Sequence, residues 1–212
     1  MRVKAIMMPF NKLTCISVDN TVEEAMRIID EQGLLSLPVV DGQEFIGVLS
    51  KQYMFEEYFK NFTGTKNEFI TKKVQEFMKT KIDTIGENTR IEEAAAIFIT
   101  SKVRFIPITN DKNILLGIVT QQAVFKEYQK IFGNKHNSMA IYTYDIKGVL
   151  GKICELISKE GGDICNMMVI PTEVMDLAEV FLRVEAPDFE RVVRALERRG
   201  YDVRDVKYND QK

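Results

Sequence analysis

The sequence predicts an α+β protein: two copies of a helix-then-hairpin unit, then a third segment with its own βαββαβ cadence. Three observations carry that prediction. Thr21-Val-Glu-Glu-Ala25 recurs as Arg90-Ile-Glu-Glu-Ala94 at an offset of 69 residues, and Leu37-Pro-Val-Val40 recurs as Ile106-Pro-Ile-Thr109 at the same offset. Gly47-Val-Leu-Ser50 recurs as Gly117-Ile-Val-Thr120 at 70, so one residue enters the turn between the blocks. After Lys130 the repeat stops and a different alternation of strands and helices begins.

Each unit has a readable plan. Thr21 or Thr89 can cap a helix whose first turn carries two glutamates, favourable at the positive helix end. Val22, Ala25, Met26 and Ile29 then recur at helical spacing, as do Ile91, Ala94, Ala95 and Phe98. A short strand follows, Leu37 to Val40 or Ile106 to Thr109, with Pro38 and Pro107 placed at the strand starts, where a missing N–H is tolerated. A turn (Asp41-Gly42, or Asn110-Asp111) leads to a second strand ending in Ser50 or Thr120, and a further helix begins near Tyr53 and near Ala123.

The third segment opens after a polar linker, Gly133-Asn-Lys-His-Asn-Ser138. Met139 to Thr143 reads as a strand, Asp145 to Gly148 as a loop, and Val149 to Glu160 as an amphipathic helix ended by Gly161-Gly162. Strands Ile164 to Ile170 and Leu177 to Val184, a helix from Asp188 to Arg199 and a strand from Tyr201 to Lys207 complete the order βαββαβ.

Composition limits the function classes. A 45% hydrophobic content provides a core without disulfides, and Cys15, Cys154 and Cys165 form no CxxC pair, which reads as reduced, buried thiols. A net charge of -2 argues against a nucleic-acid backbone binder, and no stretch approaches a membrane span. A cytoplasmic protein is expected. His136 is the sole histidine and lies in the linker, so a histidine-based metal site or catalytic dyad lacks partners in sequence. Arg191, Arg194, Arg198 and Arg199 alternate with Glu190 and Glu197, which reads as a solvated helix face. Met167, Met168 and Met175 read as core or contact residues. No metal set, catalytic residue or required cofactor emerges, and the chain is read as a non-enzyme.

The repeated plan resembles the cystathionine-β-synthase (CBS) domain, and two in tandem resemble a CBS pair, or Bateman module, over roughly residues 1 to 130. The resemblance implies a pseudo-twofold pair with repeats at 1–62 and 72–130, whose clefts bind adenosine compounds such as AMP, ADP, ATP or S-adenosylmethionine. After the linker at 131–138, Asp145-x-x-Gly148-Val-Leu150 and Gly161-Gly-Asp-Ile164 resemble the ACT domain, a ferredoxin-like amino-acid-sensing module, over 139–208. The ACT turn usually has Pro before the Gly; here Lys147 stands there. A CBS pair followed by an ACT domain is similar to the acetoin-utilisation B protein family. These resemblances imply a homodimer formed through CBS and ACT surfaces, acting on a regulated protein that the sequence does not name, with no nucleic-acid or membrane partner.

The CBS pattern Gly-h-h-Thr/Ser-x-x-Asp (h apolar) places a hydroxyl on phosphate and an Asp on the ribose diol. Ser50 and Thr120 hold the hydroxyl position, but the Asp position is Tyr53 in one repeat and Ala123 in the other. Neither can accept a bidentate diol pair, which weakens a ribose site by about one to two decades. The resemblance puts Cys15, Pro38, Ser50 and Tyr53 at the first cleft and Thr84, Arg104, Ile106, Pro107, Thr120 and Ala123 at the second. Thr84 holds the family's early Thr position, and Arg104 its phosphate-contacting Arg, where the first repeat has Cys15 and Leu35. Against these roles stand plainer ones: Ser50 and Thr120 as strand ends or helix caps, and Arg104 as an ion-pair partner. At the ACT loop the resemblance points to Asp145, Lys147, Gly148 and Val149 as amino-acid ligands; a tight strand-to-helix turn is the plainer alternative. Two functions stay open: a nucleotide sensor, or a dimerisation scaffold whose clefts no longer bind nucleotide.

Overall fold

The computed structural model describes residues 1–101, 103–133, 136–144, 147–172 and 177–209. It divides into two compact units, Met1–Tyr128 and Gln129–Lys212.

The first unit contains both repeats. In the first repeat, β2 (Ile16–Ser17), α1 (Val22–Glu31), β3 (Ser36–Asp41), β4 (Glu44–Ser50) and α2 (Lys51–Lys60) follow in order, with sheet order β2-β3-β4. The second repeat gives α4 (Ile91–Thr100), β5 (Phe105–Thr109), β6 (Leu115–Thr120) and α5 (Gln121–Phe132). Between them lies a short helix α3 (Lys66–Ile70), for which the sequence reading has no element. Thr21 caps α1 through a capping box with Glu24. Thr89 does not cap α4. Arg90 stands at the N-cap without a side-chain bond, and the Met1 carbonyl accepts the Ile91 N–H instead.

The prolines sit third in their strands rather than first. The Pro107 carbonyl accepts from the Ile85 N–H (3.1 Å), so this residue's polar groups face the short parallel neighbour. Its missing N–H therefore removes no β5–β6 bond. α2 and α5 begin at Lys51 and Gln121, two residues earlier than the pattern suggests.

Each repeat pairs with the segment that precedes the other. β1 (Met8–Pro9), ahead of the first repeat, pairs with β6 of the second: Met8 opposite Ile118, Pro9 opposite Gly117. In return Lys79 bridges to Val48 of β4. A Cβ on Gly47 would lie 2.5 Å from the Lys79 carbonyl oxygen, and one on Gly117 would collide with the Met8 carbonyl in the same way. The glycines of both repeated blocks thus admit a crossing backbone. The packing follows the exchange. Val74 and Phe77 lie in the core of the first repeat with Ile16, Val22, Leu37 and Leu49; Val3 lies in the core of the second with Ile91, Ile106 and Val119. Between the repeats Val40, Phe45 and Leu115 form a third cluster. The Asn113 side chain donates to the Phe45 carbonyl (2.7 Å) and joins the two hairpins.

The second unit runs β7 (Asn137–Thr143), α6 (Val149–Lys159), β8 (Asp163–Pro171), β9 (Ala178–Glu185), α7 (Phe189–Arg198) and β10 (Asp202–Lys207). Its antiparallel sheet has the order β10-β7-β9-β8, the split βαβ arrangement. Met139, Ile141, Val180, Leu182 and Val184 face Ile153 and Ile157 of α6 and Val192 and Leu196 of α7. Asp188 caps α7 by accepting the Arg191 N–H.

Candidate functional site

The second repeat gathers polar groups at both ends of the β5–β6 hairpin. At one end Thr120 closes β6 opposite Phe105 and stands at the N-cap of α5; its Oγ1 accepts the Ala123 N–H at 3.1 Å. The cap role is therefore real, and the hydroxyl keeps its proton free to donate. Arg104 immediately precedes β5 at the same end, is exposed, and makes no ion pair among the described residues. A guanidinium, a hydroxyl and the first N–H groups of a twelve-residue helix share this end, a combination suited to an anion.

At the other end the Thr109 hydroxyl donates to Thr84 Oγ1 at 3.2 Å. Thr109 is only 9% exposed, whereas its counterpart Val40 is apolar. The sequence reading passed over Thr109; a lone hydroxyl ending the apolar run Phe105-Ile-Pro-Ile is the signal that identifies it. The two ends are four residues of strand apart, roughly 13 Å at about 3.3 Å per residue. One phosphate cannot touch both; an elongated nucleotide can. Ile106 points into the second core and Ala123 packs against it, so neither offers a side chain to a ligand. Pro107 is buried between the two ends of its strand.

The first repeat lacks this equipment. Leu35 replaces Arg104 and is 52% exposed. Ser50 is the N-cap of α2 but makes no side-chain cap bond, and Lys51 beside it pairs with Asp30. Tyr53 lies beneath the Lys79 ammonium, 4.7 Å from nitrogen to ring centroid. A hydrogen bond to Glu57, then burial, holds its phenol above the ordinary range. Cys15 packs beside Val40, Phe45 and Leu115, and burial pushes its thiol up to about 11, so it stays protonated. Pro38 pairs with Val48 within the sheet.

In the second unit Gly148 is the N-cap of α6 with φ +81°, while a Cβ there would meet nothing within 4 Å. Backbone conformation alone accounts for the glycine. Lys147 is exposed and Val149 packs on the core; Asp145 and Met175 lie outside the described residues. Met167 faces α6, its Sδ 4.0 Å from Cys154 Sγ, and Met168 pairs with Phe181. Arg191 pairs with Glu160 and Arg194 with Glu190, the solvated face expected of α7.

Two expectations are corrected here. Cys165 is exposed rather than buried: Ile164 before it packs on the core, so Cys165 falls on the opposite face of an edge strand. His136 does have partners. Cys165 and Glu185 converge on it, with all three donor atoms within 4.8 Å of one another, a proximity the sheet creates between residues far apart in sequence.

The two repeated helix-and-hairpin units define a tandem module, and the family comparison agrees. The CBS domain family matches residues 3–60 and again residues 74–130, more than half of the chain, and the chain belongs to this family as a pair. The protein MJ1225 of Methanocaldococcus jannaschii is 29% identical over 130 residues, covering 54% of this chain and 45% of that protein. Cyclic di-AMP receptor B of Bacillus subtilis is 26% identical over 131 residues, covering 60% of this chain and 86% of that protein. The chain spans less than half the length of MJ1225 and 21% of the inosine-5'-monophosphate dehydrogenase of the same archaeon. Among solved structures, CBSX2 of Arabidopsis thaliana in complex with AMP has a TM-score of 0.55 at 23% identity, covering 62% of this chain and 98% of that one. A Vibrio cholerae protein provisionally assigned to acetoin utilization (AcuB) has a TM-score of 0.53 at 16% identity, covering 62% of this chain and 93% of that one. At these identities the structures establish the fold alone. No helix among the described residues is long and apolar enough to cross a membrane.

Proposed function

We propose that the chain is a non-catalytic regulatory sensor. It binds an adenine nucleotide in the cleft of the second repeat and signals through a homodimer to a protein partner. The observation that carries this reading is the β5–β6 hairpin, with Arg104, Thr120 and the α5 N-terminus at one end and the Thr84–Thr109 pair at the other. The anionic group lies at the first end and the base at the second. The AMP complex of CBSX2 and the cyclic di-AMP receptor of Bacillus subtilis support this ligand class. The first cleft, with Cys15 and Tyr53 filling the positions of polar ligands, stays empty. The βαββαβ order of the second unit supports an ACT domain, with the Lys147–Gly148–Val149 turn ahead of α6 as its amino-acid end. Acetate or acetoin metabolism is the setting suggested by the AcuB likeness, at the level of fold.

Titration calorimetry with AMP, ADP, ATP, S-adenosylmethionine and cyclic di-AMP tests the sensor. One site per chain is expected, with affinity falling about tenfold or more in Arg104→Ala, the effect of losing a charge-assisted bond. No heat from any of the five at millimolar concentration rejects it. That outcome supports the second reading, a dimerisation scaffold, which the missing carboxylate at Tyr53 and Ala123 favours.

A further inference from the structure

We propose that His136, Cys165 and Glu185 form a Zn²⁺ site at one end of the second unit's sheet. The site is independent of the nucleotide reading. β9 is an inner strand with β7 on one side and β8 on the other, and the three residues come one from each flank and one from the middle. Asn137, the first residue of β7, stands opposite Val184. His136 thereby falls opposite Glu185, and its Nδ1 lies 3.8 Å from Glu185 Oε2. On the other flank Ile164 faces Val184 and Asn166 faces Arg183, so Cys165 is the extra residue of a bulge. Bulges re-aim a side chain, and this one turns the thiol toward the same strand end. The three donor atoms lie within 4.8 Å of one another.

Tetrahedral zinc with bonds of about 2.0–2.3 Å places neighbouring donors roughly 3.3–3.7 Å apart. Cys165 and Glu185 are exposed, so rotation of their side chains closes the remaining gap without moving the backbone. The donor chemistry selects the metal. One thiolate, one imidazole and one carboxylate suit zinc and do not suit the all-oxygen shells of magnesium or calcium. On binding, the Cys165 thiol releases its proton to solvent as the Zn–S bond forms, neutral His136 donates a nitrogen lone pair, and Glu185 supplies one oxygen. Thiolate and carboxylate neutralise the ion's charge, and water takes the fourth position. Three protein ligands with one open position describe an exchangeable site rather than a closed structural one.

Cobalt(II) is the probe, added to the full chain under reducing conditions and followed by zinc. The expected result is one cobalt per chain with a thiolate-to-cobalt charge-transfer band, displaced by one equivalent of zinc. Cys165→Ser removes the band, His136→Ala weakens binding at least about tenfold, and Cys154→Ser changes neither. Absence of the band at saturating cobalt overturns the proposal. So does a band that survives Cys165→Ser, or a stoichiometry of one metal per two chains.

Discussion

The start of α1 depends on one carboxylate. Glu24 accepts the Thr21 N–H and the Asn20 side-chain amide, both at 2.8 Å, while Thr21 Oγ1 accepts the Glu24 N–H. The Thr21 N–H first, then Asn20, holds the Glu24 carboxyl below the ordinary carboxylate range. A lowered pKa in the folded state means stability that is present above the unfolded value and lost as pH falls through the folded one. Glu24→Gln keeps an acceptor oxygen but removes the charge. The melting temperature of wild type should exceed that of Glu24→Gln at pH 7, and the difference should shrink as pH falls below the ordinary carboxylate range. A difference that is constant with pH contradicts the assignment. Thr21→Ala removes the other half of the box and costs about 1 kcal/mol. The second repeat has no such device, since Arg90 holds the equivalent place without a cap bond.

At the scale of elements, the exchanged backbone segments join the two repeats into one compact unit. Gly117 is the sensitive point, because any Cβ meets the Met8 carbonyl. Gly117→Ala should destabilise the protein by about 1–3 kcal/mol in urea unfolding, while Gly86→Ala, where a Cβ meets nothing within 4 Å, should stay within about 0.5 kcal/mol. Equal effects would show that β1 does not pair with β6. Periodicity and turn chemistry are local properties, which is why α1, α4 and the helices and strands after Ser138 are legible in the sequence. The exchange is not local. Val3-x-x-Ile6-Met7 matches Val74-x-x-Phe77-Met78 at an offset of 71, two more than the helices, so the pattern breaks where the chain crosses between repeats. The candidate site is legible for the same reasons and to the same depth. Thr84, Arg104 and Thr120 come from the CBS resemblance that the repeat supports, since Cys15 and Leu35 stand opposite the first two. Thr109 shows in the sequence only as a hydroxyl at the end of an apolar run, and its pairing with Thr84 is a tertiary contact; the meeting of His136 with Cys165 and Glu185 depends on strand order and on a bulge that no local pattern announces.

For the whole molecule, sensing requires two states that the ligand distinguishes, because a ligand with equal affinity for both shifts nothing. A dimer whose arrangement changes supplies those states. The helices of the first unit leave large apolar side chains in solvent: Phe55 at 45% and Phe59 at 77% exposure on α2, Ile99 at 85% on α4, Phe125 at 69% on α5. Phe55 and Phe125 occupy equivalent places in the two repeats. A repeated apolar surface of this kind fits the self-complementary contact that a twofold dimer needs. Because these side chains are already exposed, charge can be placed there without disturbing either core. Wild type is expected to sediment as a dimer at tens of micromolar, and the double variant Phe59→Glu, Phe125→Glu as a monomer with wild-type secondary structure by circular dichroism. Ile170→Glu, on an exposed position of β8 in the second unit, tests whether that sheet also contributes. A wild-type monomer, or a double variant that remains dimeric, removes the helix face as the dimer contact. If the double variant is monomeric but binds nucleotide with unchanged affinity, binding and assembly are uncoupled, and the sensor cannot signal through this interface.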